Sequence, residues 1–209
     1  MVEQGSPEWH AQRCGKVTAS RIADMMARTK TGWGSSRANY AATLIAERLT
    51  GCVAESYSSA AMEWGTATEG EAKSTYEFYT DTVVSPVGFV QHPSIPMSGA
   101  SPDGLLGVDG VLEVKAPNTS THIETLLGRS VPGKYMLQIQ WQLACTGRKW
   151  GDFVSFDPRM PEEMRLFVSR VERDDAKIAE LEREVTVFLS EVDAKVAELT
   201  RMYRLSEAA

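Results

Sequence analysis

Hydrophobic residues recur along this chain with two periods, one helical and one alternating. From residue 174 to about residue 205, Ile178, Leu181, Val185, Phe188, Leu189, Val192, Val196 and Leu199 share one face at helical spacing. That stripe predicts a long amphipathic helix, whose ordinary use is core or subunit contact. Thr18-Ala19-Ser20 opens a helix through Ile22, Met25 and Met26. A second runs from Arg37 to Thr50 and stops at Gly51. A third runs from Ala60 to Tyr79, with Trp64, Ala67, Ala72, Tyr76 and Tyr79 as its buried stripe. Thr29 to Ser36, rich in Gly and Ser with Trp33 at its centre, reads as a loop. From Thr82 the pattern changes. Val83-Val84, Val87 to Val90, the segment leading into Asp103, and Val111 to Lys115 predict strands broken by Pro and Gly. Asn118 to Leu127 and Lys134 to Thr146 predict a helix pair, and Trp150 to Phe156 and Leu166 to Val171 two closing strands. The order predicts one α/β domain over residues 1–209, a mixed sheet flanked by helices with the long helix last.

Composition changes this picture little. The 209 residues are 43% hydrophobic and 24% charged, an ordinary globular balance long enough for one full core. Cys14, Cys52 and Cys145 are far apart and lack a Cys-x-x-Cys pair, which argues for a reducing compartment and against zinc or an iron–sulfur cluster. His10, His92 and His122 show no metal-ligand spacing. The expected location is the cytoplasm: Met1-Val2-Glu3-Gln4 does not resemble a signal peptide, and no apolar run reaches membrane-spanning length. The net charge of −6 argues against a nucleic-acid partner, but the charge is uneven. Between His10 and Arg37, Arg13, Lys16, Arg21, Arg28, Lys30 and Arg37 face a single acid, Asp24, whereas acids predominate after Pro161. That asymmetry fits a confined DNA track with a repelling exterior, and equally fits unsorted surface charge. Arg28, Lys30, Trp33 and Arg37 are the candidate DNA contacts.

The candidate chemistry lies in Ser101-Pro102-Asp103-Gly104 and Leu112-Glu113-Val114-Lys115. Strand alternation puts Glu113 and Lys115 on one face with Val114 on the other, and a turn through Asp109-Gly110 returns Asp103 beside them. Two converging carboxylates suit Mg²⁺, with the Val114 carbonyl as a further oxygen ligand. Lys115 would hold or activate a water, giving the parts for metal-assisted phosphodiester hydrolysis. Glu69, on a helix of otherwise small residues, is the candidate ligand for a second ion, about 3.5–4 Å from the first in such chemistry. Gln138 shares a helix face with Gln142 and could orient a phosphate or a water. Arg13, Ser20 and Ser101 form a separate constellation able to hold a terminal phosphate, with Ser20 at a helix start. Each feature also has an ordinary reading: a turn and a surface ion pair for the triplet, an exposed helix acid for Glu69, a solvated helix face for Gln138, and a helix cap for Ser20.

Taken together, Trp9-His10-x-x-Arg13-x-Gly15 with Thr18-Ala19-Ser20, Trp64-Gly65 with Glu69, the Asp103 and Glu113–Lys115 motif through Pro117, and Tyr135-Met136-x-Gln138-x-Gln140 carry a likeness. A weaker segment is Asp157-Pro158-Arg159-Met160. Over residues 4 to 175 the chain resembles the phage lambda-type (YqaJ-like) viral recombination exonucleases of the PD-(D/E)xK nuclease superfamily. The resemblance implies a restriction-endonuclease-like core and an exonuclease that digests one strand of linear duplex DNA from the 5′ end. It implies dependence on Mg²⁺, two ions with Mn²⁺ able to substitute, and Asp103, Glu113, Lys115, Glu69 and Gln138 as active-site residues. Arg13, Ser20 and Ser101 match the family's 5′-phosphate pocket. A homotrimeric ring around DNA, a single-strand annealing protein as partner, and a phage or prophage origin in a bacterial host are implied as well. The family region equivalent to Thr29–Arg37 helps split the duplex, so Trp33 is a candidate wedge, or else a buried or partner-facing residue. A restriction- or repair-type endonuclease on the same core and a non-catalytic DNA-end-binding protein are the competing readings.

Overall fold

The computed structural model describes residues 2–54 and 60–203. Its elements, in chain order, are α1 (Pro7–Arg13), β1 (Val17–Thr18), α2 (Ile22–Met26), β2 (Arg28–Thr29), β3 (Gly32–Trp33), α3 (Ser35–Thr50), α4 (Ala60–Thr80), β4 (Val84–Ser85), β5 (Val90–Gln91), β6 (Ser98–Ala100), β7 (Gly104–Leu106), β8 (Gly110–Lys115), α5 (Thr119–Gly128), α6 (Gly133–Thr146), β9 (Trp150–Phe156), β10 (Leu166–Glu172) and α7 (Asp175–Tyr203). Five strands form the main sheet in the order β10-β9-β8-β7-β4. Within this sheet, among the described residues, only β8 and β9 run parallel and the other pairs are antiparallel. The parallel pair needs a crossover, which α5 and α6 supply between the two strands. A small sheet, β1-β6-β5, and the β2–β3 hairpin complete the strands. The fold is a mixed α/β sandwich with the long helix at the end.

Strand β8 is buried on both faces, and this explains its nearly continuous apolar run. Val111 faces a core shared with α2, α3, α6 and α7, in which Trp141, Phe153 and Phe188 are fully buried. Leu112 and Val114 face the opposite core, under Ala72 and Tyr76 of α4. Glu113 lies in the middle of this strand with no exposed surface.

Most predicted elements are present within a residue or two. Gly51 ends α3 in the left-handed conformation that favours glycine, as its position predicts, and Asn118 caps α5 by accepting from the Thr121 N–H. Several expectations need correction. The segment read as a loop, Thr29 to Ser36, contains the β2–β3 hairpin. The strand expected at Val87 to Val90 begins only at Val90. The turn before β8 occupies residues 107–109, and Gly110 already pairs with Leu106. On α4, Ala72 and Tyr76 are buried, but Ala67 and Tyr79 are exposed, so the stripe is narrower than expected. Along α7 the stripe is buried from Ile178 to Val192 and emerges by Leu199. The predicted end of that helix at residues 204–205 falls outside the described residues.

Arg37 departs most from its expected place on a DNA track. It is 4% exposed, donates to the Met25 carbonyl and to both oxygens of Glu191 on α7, and lies over the rings of Trp33 and Phe188. Arg28 pairs with Glu184, and Arg48 with Asp193, on the same helix. The acidic tail helix therefore neutralises part of the basic N-terminal segment within the fold. Arg37→Ala is expected to destabilise the chain by about 2 kcal/mol, chiefly through the lost buried hydrogen bonds, because solvent screens the Glu191 side of the ion pair. Urea denaturation measures this. A loss of DNA affinity with unchanged stability would instead restore Arg37 as a contact.

Candidate active site

Asp103 precedes β7, and its N–H continues the β7–β8 ladder by donating to the Leu112 carbonyl at 3.0 Å. One step further along β8, the Val114 N–H donates to Asp103 Oδ2 at 2.6 Å. A residue's N–H and C=O point to the same side of a strand, so the Val114 carbonyl also turns toward Asp103, past the end of the β7 pairing. Glu113 projects from the face toward α6. Its Oε1 accepts from Gln138 Nε2 at 2.6 Å and from Lys115 Nζ, and its Oε2 accepts from Gln142 Nε2. The strand pattern thus brings Asp103, Glu113 and Lys115 together as expected, and α6 presents Gln138 to them.

The electrostatics of the group follow from burial. Desolvation and then the charge of Glu113 raise the Asp103 carboxyl from 3.8 to about 8, against the pull of Lys115 and the Val114 N–H. For Lys115, burial works to lower the pKa, but the charges of Glu113 and Asp103 outweigh it and the net shift is upward. Lys115 is therefore an ammonium in this state, suited to orienting a water or a phosphate oxygen and unsuited to removing a proton. The donor set consists of two carboxylates and a backbone carbonyl, all hard oxygens, and its two acids repel one another. Such a set fits Mg²⁺ better than a soft metal.

Glu69 stands further off. It lines a cavity of about 520 Å³ together with Asp103, and its charge acts on Asp103, but its carboxylate pairs with Lys73 one turn along α4. Among the described residues no three His, Cys, Asp or Glu side chains are gathered closely enough to enclose an ion. A second-ion role for Glu69 would require it to part from Lys73. Gln4 closes one side of this cavity, donating to the Val87 and Pro102 carbonyls at 2.9 and 2.7 Å.

Of the three candidate phosphate ligands, Arg13 meets Ser101 directly and shares only a cavity with Ser20, and Ser101 is not among that cavity's lining residues. Ser101 Oγ accepts from Trp9 Nε1 at 3.0 Å and from Arg13 at 3.4 Å, and the Arg13 guanidinium stacks on the Trp9 ring. Arg13 and Ser20 line a second cavity of about 520 Å³, with Trp9, Lys16, Arg21, Tyr40 and Glu47 among its other walls. Ser20 is not a helix cap. It lies inside a 3₁₀ turn, Ala19–Arg21, and its hydroxyl meets Thr18 Oγ1 at 3.4 Å. Burial lowers the Arg13 pKa to about 10, against the charges of Tyr40 and Glu47, so it remains a cation whose desolvation an anion would offset. Glu47 and Arg48 hold the turn behind Arg13 by taking the Gly15 N–H and carbonyl, and Gly15 adopts φ +69° there.

The candidate DNA contacts divide. Lys30 is exposed at the hairpin turn, Arg28 is exposed but stacked on Trp33 at 3.8 Å, and Arg37 is buried. Trp33 is 38% exposed and gripped between the Arg28 and Arg37 guanidinium groups, so it is fixed in place and partly open to solvent. Sequence reasoning assigned no role to Gln142, although its spacing from Gln138 put both on one face. It is fully buried, and its Oε1 has no partner among the described residues. An unpaired buried amide oxygen costs about 1–3 kcal/mol, which makes this an expensive place to keep a glutamine for packing alone. Gln140 serves the fold, joining the Glu172 carbonyl to the Asp174 N–H where β10 turns into α7.

A family model described as the YqaJ-like viral recombinase domain matches residues 8–149. Among solved structures, an alkaline exonuclease from Laribacter hongkongensis, LHK-Exo, is 48% identical, with 98% of this chain and 100% of that one covered and a TM-score of 0.88. The same enzyme in complex with dAMP superposes with a TM-score of 0.89. A phage-related exonuclease from Haemophilus somnus 129PT shares the fold at a TM-score of 0.73 with 13% identity, over 88% of this chain and 96% of that one. No curated protein matches.

The burial of Asp103, and then its repulsion by Glu113, have a definite pH signature in metal-free protein. A carboxyl raised from 3.8 to about 8 contributes stability that is complete below pH 3.8 and lost as pH rises through about 8. With chelator present, Asp103→Asn should therefore gain stability over the parent chain between pH 4 and 8, with the gap flat above that range. Thermal denaturation across pH tests this, and a gap that does not change with pH would refute the upward shift at Asp103.

Proposed function

Because this chain belongs to the YqaJ-like viral recombinase family, we propose that it is a metal-dependent exonuclease acting on linear double-stranded DNA. On this reading it digests the 5′-ended strand from 5′-phosphorylated ends and leaves 3′ single strands for annealing-based recombination. The observation that carries the reading is an adjacency. Ser101, bonded to Arg13, which lines the proposed phosphate cavity, is two residues from Asp103 at the proposed hydrolytic centre. An enzyme that cuts within a strand has no use for a terminal-phosphate grip beside its catalytic carboxylate.

Asp103, Glu113 and the Val114 carbonyl would hold Mg²⁺, with Glu69 nearby for a second ion and Mn²⁺ as a substitute. The chemistry a bound ion supplies is polarisation of the phosphodiester and activation of a water. Lys115, kept as an ammonium, orients that water or the phosphate oxygen it attacks. Gln138 shares a Glu113 oxygen with Lys115 and keeps the carboxylate and the ammonium in register. Arg13 forms a charge-assisted contact with the terminal phosphate, and Ser20 and Ser101 add hydroxyl donors. Each cut then exposes a new 5′-phosphate that the same pocket can draw in. LHK-Exo has been crystallised with dAMP, which supports mononucleotide release here. Lys30 and the Arg28–Trp33 stack would meet the duplex. A homotrimeric ring, an annealing protein as partner and a place in the bacterial cytoplasm complete the proposal. Among the described residues no helix is long and apolar enough to cross a membrane.

Linear duplex with 5′-phosphates should be degraded in Mg²⁺ and spared with chelator, while closed circles persist; cutting of closed circles would favour an endonuclease. Asp103→Ala and Lys115→Ala should each lower cutting by about a hundredfold or more while the circular dichroism spectrum remains that of the folded chain. Retained activity in either variant would refute the assignment. Arg13→Ala should narrow the rate difference between phosphorylated and hydroxyl ends, and an unchanged difference would remove the pocket from the mechanism.

A further inference from the structure

The carboxylate of Glu113 offers about four lone-pair directions, two on each oxygen. Among the described residues, Oε1 receives two donors, Gln138 Nε2 and Lys115 Nζ, and Oε2 receives one, Gln142 Nε2. The direction left unclaimed is therefore on Oε2, the atom that Gln142 holds. Lys115 reaches this group from a partly exposed position and Gln138 is 8% exposed, whereas Gln142 has no exposed surface. Solvent reaches the first two and does not reach the Gln142 side chain. Gln142 is also a poor fit for a purely structural role. Its Oε1 is buried without a partner, and an apolar side chain of the same length would leave no such orphan.

We infer that Gln142 is a positioning residue, which fixes the plane of the Glu113 carboxylate so that the free lone pair of Oε2 faces the divalent cation. Gln138 and Lys115 alone grip a single oxygen, about which the carboxylate can still swing. The amide on the second oxygen removes that freedom before any cation arrives. Hydrogen-bonding partners of this kind commonly change metal affinity by about ten- to a hundredfold when removed. The inference rests on the reading of Asp103 and Glu113 as ligands, so its test measures that reading separately.

The test is titration of the DNA-free chain with Mn²⁺, following free metal by electron paramagnetic resonance. Gln142→Met keeps the length and removes the donor, and its Mn²⁺ affinity should fall by about tenfold or more. Gln142→Asn keeps an amide but withdraws it from Oε2, and should show the same loss if the Met variant fails to fold. Gln140→Met lies on the same helix and disturbs only the β10–α7 joint, so it should lose stability but bind Mn²⁺ as the parent does. Parental affinity in a folded Gln142 variant, with the Asp103→Asn control losing its binding, overturns the role of Gln142 alone. Parental affinity in Asp103→Asn overturns the ligand reading and this inference with it. An equal loss in Gln140→Met would reduce Gln142 to general helix packing and also overturn it.

Discussion

The structure is organised around a carboxylate with no exposed surface, set in the middle of a strand that is buried on both faces and otherwise apolar up to its last residue, Lys115. An ionised Glu113 at this depth is tolerable only if its charge is met by donors of fixed geometry. Lys115 from the same strand, and Gln138 and Gln142 from α6, meet it. That requirement ties β8 to α6, and the crossover that carries α6 is the one that lets β8 lie parallel to β9. The central topology and the chemistry of the site therefore share one constraint.

How much of this the sequence reveals depends on the range of the interactions. Asp103, Glu113 and Lys115 are legible because alternation and a short hairpin are local rules, and an error of two residues in the turn does not change which face they share. The long helix and its stripe are legible for the same reason. The meeting of Arg13 with Ser101 spans 88 residues; residue chemistry and family resemblance suggest the grouping, but no local rule fixes the contact. A count of nearby charges puts Arg37 in a basic run but says nothing of Glu191, 154 positions away, with which it pairs. For Gln142, helical spacing identified the face but could not say that a buried acid lies opposite. The phase of α4 drifted similarly: Ala72 and Tyr76 pack inward, and the spacing alone could not exclude Tyr79.

The long helix also has an electrostatic role. Its acids take up Arg28, Arg37 and Arg48, so the N-terminal basic run presents less free charge than its composition suggests. Trp33 is held between two of these guanidinium groups, which makes the hairpin a braced projection rather than a pliable one.

Ser101 and Asp103 belong to a single tripeptide, joined through Pro102, whose ring restricts the backbone on either side. On the proposed reading, the anchor for the strand terminus and the blade that severs it share one stiff handle. A breathing motion of the domain would carry both together, so on that reading covalent geometry would gauge the length of the excised fragment.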